Sequence, residues 1–188
     1  MSKSGISAAA LSAVTVIGLA LAPAAMAEER TCRGTIGGTT VDNLRVPQGA
    51  SCTLNGTNVK GQVTVQRNAT LRALGVRVVG NVQGENARRV AVVQGSRVGG
   101  SVQVVQGGSA AVTGSRINGD ILFDEDEATL RAVNNRIGGS LQAFQNTGGV
   151  EIRSNVIEGN LQCKENVPRP VGGGNVVDGN KEDQCANL

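Results

Sequence analysis

Ile117-Asn118-Gly119-Asp120-Ile121 is followed twenty residues on by Ile137-Gly138-Gly139-Ser140-Leu141, and again by Ile157-Glu158-Gly159-Asn160-Leu161. These are three copies of one motif: aliphatic, any residue, glycine, polar, aliphatic. Working outward, the same motif stands at Val98-Gly99-Gly100-Ser101-Val102, Val78-Val79-Gly80-Asn81-Val82 and Val59-Lys60-Gly61-Gln62-Val63. The central glycines fall at 61, 80, 100, 119, 139, 159 and, in a degraded last copy, 179, so the intervals are 19, 20, 19, 20, 20 and 20 residues. A fixed short period of this kind marks a solenoid, whose units cannot bury an apolar face alone and therefore stack. Within each unit aliphatic and polar residues alternate, as in Val63-Thr64-Val65 and Val102-Gln103-Val104, the two-residue period of a strand with one face on a core.

Alignment on the glycine predicts the columns. Two positions before it stand Val59, Val78, Val98, Ile117, Ile137, Ile157 and Val177, and two after it Val63, Val82, Val102, Ile121, Leu141 and Leu161. These are expected to form stacked core layers. A second strand is expected nine and seven positions before the glycine, from Leu71 and Ala73, Ala91 and Val93, Ala110 and Val112, Leu130 and Ala132, and Val150 and Ile152. Five before the glycine come Gly75, Gly95, Gly114, Asn134, Ser154 and Gly174, a tight corner that needs a left-handed backbone. The residue after that corner runs Ser96, Ser115, Asn135, Asn155, Asn175, which predicts a polar ladder along the stack.

The pattern over residues 50–180 is similar to right-handed parallel β-helices. It predicts a single all-β domain of about seven coils of 19–20 residues, a rod on the order of 34 Å long at ~4.8 Å per coil. Left-handed hexapeptide solenoids need coils of 18 residues and do not fit. Residues 28–57 are expected to form an N-terminal disulfide-stapled cap and first coil, 58–174 the coils, and 175–188 a C-terminal cap. Cys32 and Cys52 lie one coil apart, and Cys163 and Cys185 fall on neighbouring coils with the same side-chain parity, so two disulfides are expected, one near each end. In the last copy the core columns become Lys181 and Asp183, which predicts a polar, stapled end.

The stretch from Gly159 to Asn166, followed by Gly172-Gly173-Gly174-Asn175-Val176-Val177-Asp178-Gly179-Asn180-Lys181-Glu182-Asp183-Gln184-Cys185, resembles the ending of a group of small exported β-helix proteins of actinobacteria and related bacteria. That resemblance implies secretion and fold and carries over no catalytic residue. The repeat also resembles bactofilins, the polymer-forming cytoskeletal β-helices. Those are cytosolic, whereas an export signal and paired cysteines are expected here.

Composition excludes several chemistries. The chain has no His, Trp or Tyr and only two Phe, so there is no imidazole base or ligand and no aromatic platform for bases or sugar rings. Residues 1–27 read as a removable export signal: Lys3, an apolar run from Ala8 to Ala22, Pro23, and Ala25-Met26-Ala27 before Glu28. The run is too short to span a bilayer, and no later segment could. Of 18 Lys and Arg and 15 Asp and Glu, only Lys3 lies in that segment, leaving 17 − 15, a net charge of +2. So mild a charge does not announce a nucleic-acid binder.

Three before the glycine in four successive copies, facing outward by alternation, stand Arg77, Arg97, Arg116 and Arg136. Like charges on neighbouring strands repel, so the column calls for acidic neighbours or an anionic ligand. Glu85, Asp120 and Glu151 are the carboxylates expected to partner some of them. An outward glutamine column, Gln83, Gln103, Gln142 and Gln162, offers a second face. In the acidic run Asp124-Glu125-Asp126-Glu127, Asp124 and Asp126 are weak candidates for a cation. The run lacks the spacing of a calcium loop, so a solvated turn is expected.

The reading is therefore a non-enzymatic secreted or cell-envelope protein, without cofactor, that presents its arginine and glutamine faces to an anionic wall polymer or an extracellular protein, as a monomer or lateral oligomer. The competing reading is a polysaccharide-active, lyase-like β-helix enzyme using Arg116, Asp120, Asp124 and Asp126. The short loops and missing aromatic subsites argue against it.

Overall fold

The computed structural model describes residues 28–188; the expected export segment lies outside the described residues. The described chain is a parallel β-solenoid of about eight turns. Each turn contributes one strand to each of three sheets. Sheet A runs from Glu29–Thr31 to Lys181–Asp183 in nine strands, sheet B from Gly34–Ile36 to Val171–Gly173 in eight, and sheet C from Thr40–Val41 to Val176–Val177 in eight. Every pairing joins one turn to the next in parallel, as in Val82↔Val102↔Ile121 of sheet A and Val98↔Ile117↔Ile137 of sheet C. The predicted aliphatic columns beside the glycine are the core, except for Val177, which is half-buried at the end of the stack. Leu44, Val82, Val102, Ile121, Leu141 and Leu161 of sheet A and Ile117, Ile137 and Ile157 of sheet C are completely buried.

One coil more is present than the motif announces. Glu29–Thr31, Gly34–Ile36 and Thr40–Val41 form a full turn that pairs onto the next through Val41↔Val59 and Arg30↔Leu44. Its corner reads Val41-Asp42-Asn43-Leu44, one residue shorter and without glycine, so a search for the motif passes over it. In the remaining coils the glycine has a steric reason. Gly80, Gly100, Gly119, Gly139, Gly159 and Gly179 each donate their backbone N–H to the carbonyl of the glycine one coil earlier, at 2.8–3.1 Å. From Asn81 to Asn160 the polar residue after the glycine then accepts the N–H of its counterpart in the next coil, as in Asp120 N–H to Ser101 Oγ (2.9 Å), Ser140 N–H to Asp120 Oδ1 (2.7 Å) and Asn160 N–H to Ser140 Oγ (3.0 Å). A Cβ on Gly139 would overlap that Asp120 oxygen.

The six predicted corner residues all have positive φ, from 54° at Ser154 to 75° at Gly95. The ladder beyond them forms as expected. Asn135 N–H and Nδ2 both donate to Asn155 Oδ1 at 3.0 Å, and Asn155 repeats this onto Asn175, while each Nδ2 also reaches a strand carbonyl, Val112 or Ala132, at 2.7 Å. All five residues of the ladder are buried.

One expected column is corrected. Val90 and Val92, not Ala91 and Val93, align with Leu71 and Ala73 and fill the core of that coil. Its corner holds two left-handed residues, Gln94 (φ 57°) and Gly95 (φ 75°), so the extra residue of this 20-residue interval sits between sheets B and C and shifts the parity. In the coil of Gly139 the extra residue lies instead between Phe123 and Leu130, on the other side of the second strand, which leaves Leu130 and Ala132 where they were expected.

Both disulfides are formed as paired from the spacing. Cys32–Cys52 joins the first two coils with Cα atoms 5.6 Å apart, and Cys163–Cys185 the last two with Cα atoms 5.2 Å apart. Lys181–Asp183 extends sheet A with Lys181 and Asp183 exposed, so the sheet continues past the core and ends it in polar residues.

Candidate functional site

Sheet C contributes only two residues per coil, an outward one and an inward one. The inward residues Val78, Val98, Ile117 and Ile137 are locked in the core, and this fixes the outward partner. Arg77, Arg97, Arg116 and Arg136 are aligned directly, each with the next, and all are exposed. Adjacent strands lie ~4.8 Å apart, so the backbone positions that carry the arginines repeat at about that interval along the rod. The column begins at Thr40 and Asn58 and ends in Val156 and Val176.

The carboxylates do not go where the sequence suggests. Glu151 bridges Arg131 (2.8 Å) and Arg153 (3.5 Å) on sheet B, Asp120 accepts the Ser140 N–H inside its corner, and Glu85 lies on sheet A without an ion pair. Only Arg136 is met, by Glu158 at 2.9 Å in an exposed pair. Among the described residues Arg77, Arg97 and Arg116 have no carboxylate within 4 Å. Together with Val79, Gly99 and Asn118 they line an open depression of about 500 Å³ that has no acidic residue in its lining. Two unit charges ~5 Å apart in water repel by about 0.8 kcal/mol. Three neighbouring guanidinium groups therefore carry a modest cost that a bridging anion relieves.

The glutamine face is different in kind. Gln83 Nε2 donates to Gln103 Oε1 (3.0 Å), Gln142 Nε2 to Gln162 Oε1 (2.8 Å), and Gln162 Nε2 to Glu182 (2.8 Å). Leu122 stands between Gln103 and Gln142 and divides the column in two. Each pair is thus joined by a single amide–amide bond along the stack.

The acidic run is not a solvated turn throughout. Glu125 and Glu127 are exposed and Asp124 is half-buried, its carboxyl pushed above the usual range by partial desolvation and by neighbouring Glu125. Asp126 is completely buried. Its neighbours in the rod are Asn146 and Asn166, which together form a second buried ladder: Asn146 Nδ2 donates to Phe123 O (3.1 Å) and Asn166 Oδ1 (2.8 Å), and Asn166 Nδ2 to Ala143 O (2.8 Å) and Gln184 Oε1 (3.0 Å). The sequence signal for it was an Asn 20 residues after an Asn, each preceded by Gln or Glu. Among the described residues no three acidic or cysteine side chains gather around a point that could hold a cation. The four lyase-like candidates are likewise dispersed: Arg116 on sheet C, Asp120 in the next corner, Asp124 at the end of a sheet A strand and Asp126 inside the rod.

No described helix is long and apolar enough to cross a membrane. The two disulfides suit a non-reducing environment. No family model, no curated protein and no solved structure matches the chain, so neither the small exported actinobacterial proteins nor the bactofilins is shown as its family.

Proposed function

We propose that the chain is a non-enzymatic secreted or cell-envelope protein, a rigid right-handed β-solenoid whose arginine strip docks an extended anionic wall polymer. The observation that carries this reading is the run Arg77, Arg97 and Arg116: three in-register guanidinium groups on a rigid face, without carboxylate partners within 4 Å among the described residues. A polymer with anionic groups at regular spacing meets such a strip with repeated charge-assisted, bidentate hydrogen bonds. Arg136 extends it, because an exposed pair such as that with Glu158 is worth only ~0.2–1 kcal/mol and yields to a stronger anion. The solenoid provides the rigidity: each arginine rides on a buried β-branched neighbour, so the spacing is set before the ligand arrives.

The test is the binding of purified protein to isolated cell walls and to walls stripped of anionic polymer, at low and high salt. The reading predicts binding to intact walls that salt weakens, stripping abolishes and Arg97→Ala with Arg116→Ala greatly reduces. Binding that survives both stripping and the double substitution would point instead to a protein partner.

A further inference from the structure

The corner after sheet A places one residue per coil inside the rod: Ala69, Ala87, Gly107, Asp126, Asn146 and Asn166 are all buried. The first three carry no polar side chain and the last two carry amides, so Asp126 begins the polar ladder with a carboxyl group. Its Oδ1 behaves as an asparagine oxygen does, accepting the N–H of Gly107 at 2.8 Å, just as Asn146 Oδ1 accepts the Asp126 N–H at 2.9 Å. Its Oδ2 takes the place of the amide nitrogen. In the two following coils that nitrogen donates to the carbonyls of Phe123 and Ala143, and the strand register places Val104 in the equivalent position for Asp126. The nitrogen of Asn146 also donates to the amide oxygen of the next coil, so the ladder geometry offers Oδ2 two acceptors and no donor. Asp126 Oδ2 is the single buried side-chain polar atom without a hydrogen-bond partner among the described residues.

We propose that Asp126 is held as the neutral acid, its proton closing the ladder onto the Val104 carbonyl, and that its ionisation loosens this corner, making it a pH-sensitive latch in the middle of the rod. A carboxylate there would face acceptors with no donor to Oδ2 and no cation, and an unpaired buried charge is costly. The charged surroundings agree. Asp124, two residues upstream, adds like charge; Gly107 and Val104 below and Asn146 above carry none; Glu125 and Glu127 are exposed; Arg67 and Arg88, with Glu127, line an open depression that reaches Ala87 and Gly107 on the side of the earlier coils, and neither arginine forms an ion pair with Asp126. Burial raises the Asp126 pKa from 3.8 to about 7, with the Asp124 charge adding to it and hydrogen bonds from the Gly107 and Asp124 backbones opposing it in part.

The sign follows from proton binding. Between 3.8 and about 7 the folded chain holds a proton that the unfolded chain has released, so folding weakens as pH rises through that window and levels off above it. The folding equilibrium constant should fall roughly tenfold per pH unit there from this group alone. Asp126→Asn supplies the missing donor at every pH.

The experiment is denaturant unfolding of the protein and of Asp126→Asn at intervals from about pH 4 to 8, with amide exchange followed at Gly107 and Asn146. Similar stability at the acid end, a variant advantage that widens tenfold per unit towards neutrality, and exchange at these amides that quickens with pH in the parent alone beyond its intrinsic rise support the latch. An advantage that stays constant across the range overturns it. Carbon-13 titration of the Asp126 carboxyl in the unaltered protein decides independently of the variant's folding: a midpoint near neutrality supports the proposal, and one in the ordinary carboxylate range refutes it.

Discussion

At the scale of single residues, the glycine column is the clearest case of a sequence signal whose cause lies in another coil. The column itself could be read from the spacing, and so could the polar residue that follows each glycine. That the Asp120 oxygen of one coil fills the space where Gly139 of the next would carry its Cβ could not, because the contact joins residues 19 apart through a bond to backbone N–H. Gly139→Ala is expected to lower stability by about 1–3 kcal/mol, since the added carbon must displace that oxygen and the Gly119 backbone. Gly37→Ala, where an added Cβ meets nothing within 4 Å, should stay within about 0.5 kcal/mol of the parent. Urea midpoints of the two variants check both. The arginines sit at the opposite pole of legibility. Their outward column was readable from alternation, but the lack of acidic partners at Arg77, Arg97 and Arg116 was not, because Glu151 and Asp120 are taken by groups on other faces.

At the scale of elements, strands and ladders were unequally visible. Strands of sheets A and C announce themselves by alternation on either side of the glycine. The strand Arg89–Val93 does not, because a run of Val90, Ala91, Val92 and Val93 is apolar on both faces and the parity is decided by the extra residue at Gln94-Gly95. The first coil lacks the glycine, so it is announced by the one-coil spacing of Cys32 and Cys52 and not by the motif, and the second buried ladder is hidden by having only two asparagines. Energetically the ladders matter more than their size suggests. Removing the Asn155 side chain leaves the Asn135 N–H and the Ala132 carbonyl buried without this partner, and each such orphan costs about 1–3 kcal/mol. Asn155→Ala should therefore destabilise by at least ~2 kcal/mol, whereas Asn180→Ala, at the exposed end of the stack, should change little. Parallel denaturation curves test this contrast.

At the scale of the whole molecule, the rod is a stack of nearly equal layers closed by a covalent link at each end. Chain-entropy reasoning gives about 3 kcal/mol for a link that closes a loop of some 15 residues, and the two here span 20 and 22. Reduction should lower the melting temperature clearly; an unchanged value would mean that the pairs add nothing to the fold. Solenoid architecture and stapled ends were both legible in the sequence, whereas the ligand was not, since spacing encodes where the arginines stand and not what meets them. The most direct measurement of the central claim is the affinity for a linear polyphosphate across a series of salt concentrations. Neutralising three or four guanidinium groups predicts a linear fall of log affinity with log salt, and Arg97→Ala with Arg116→Ala should reduce the slope by about one for each arginine removed. No binding at low salt, or a slope unaltered by the double substitution, would contradict the account.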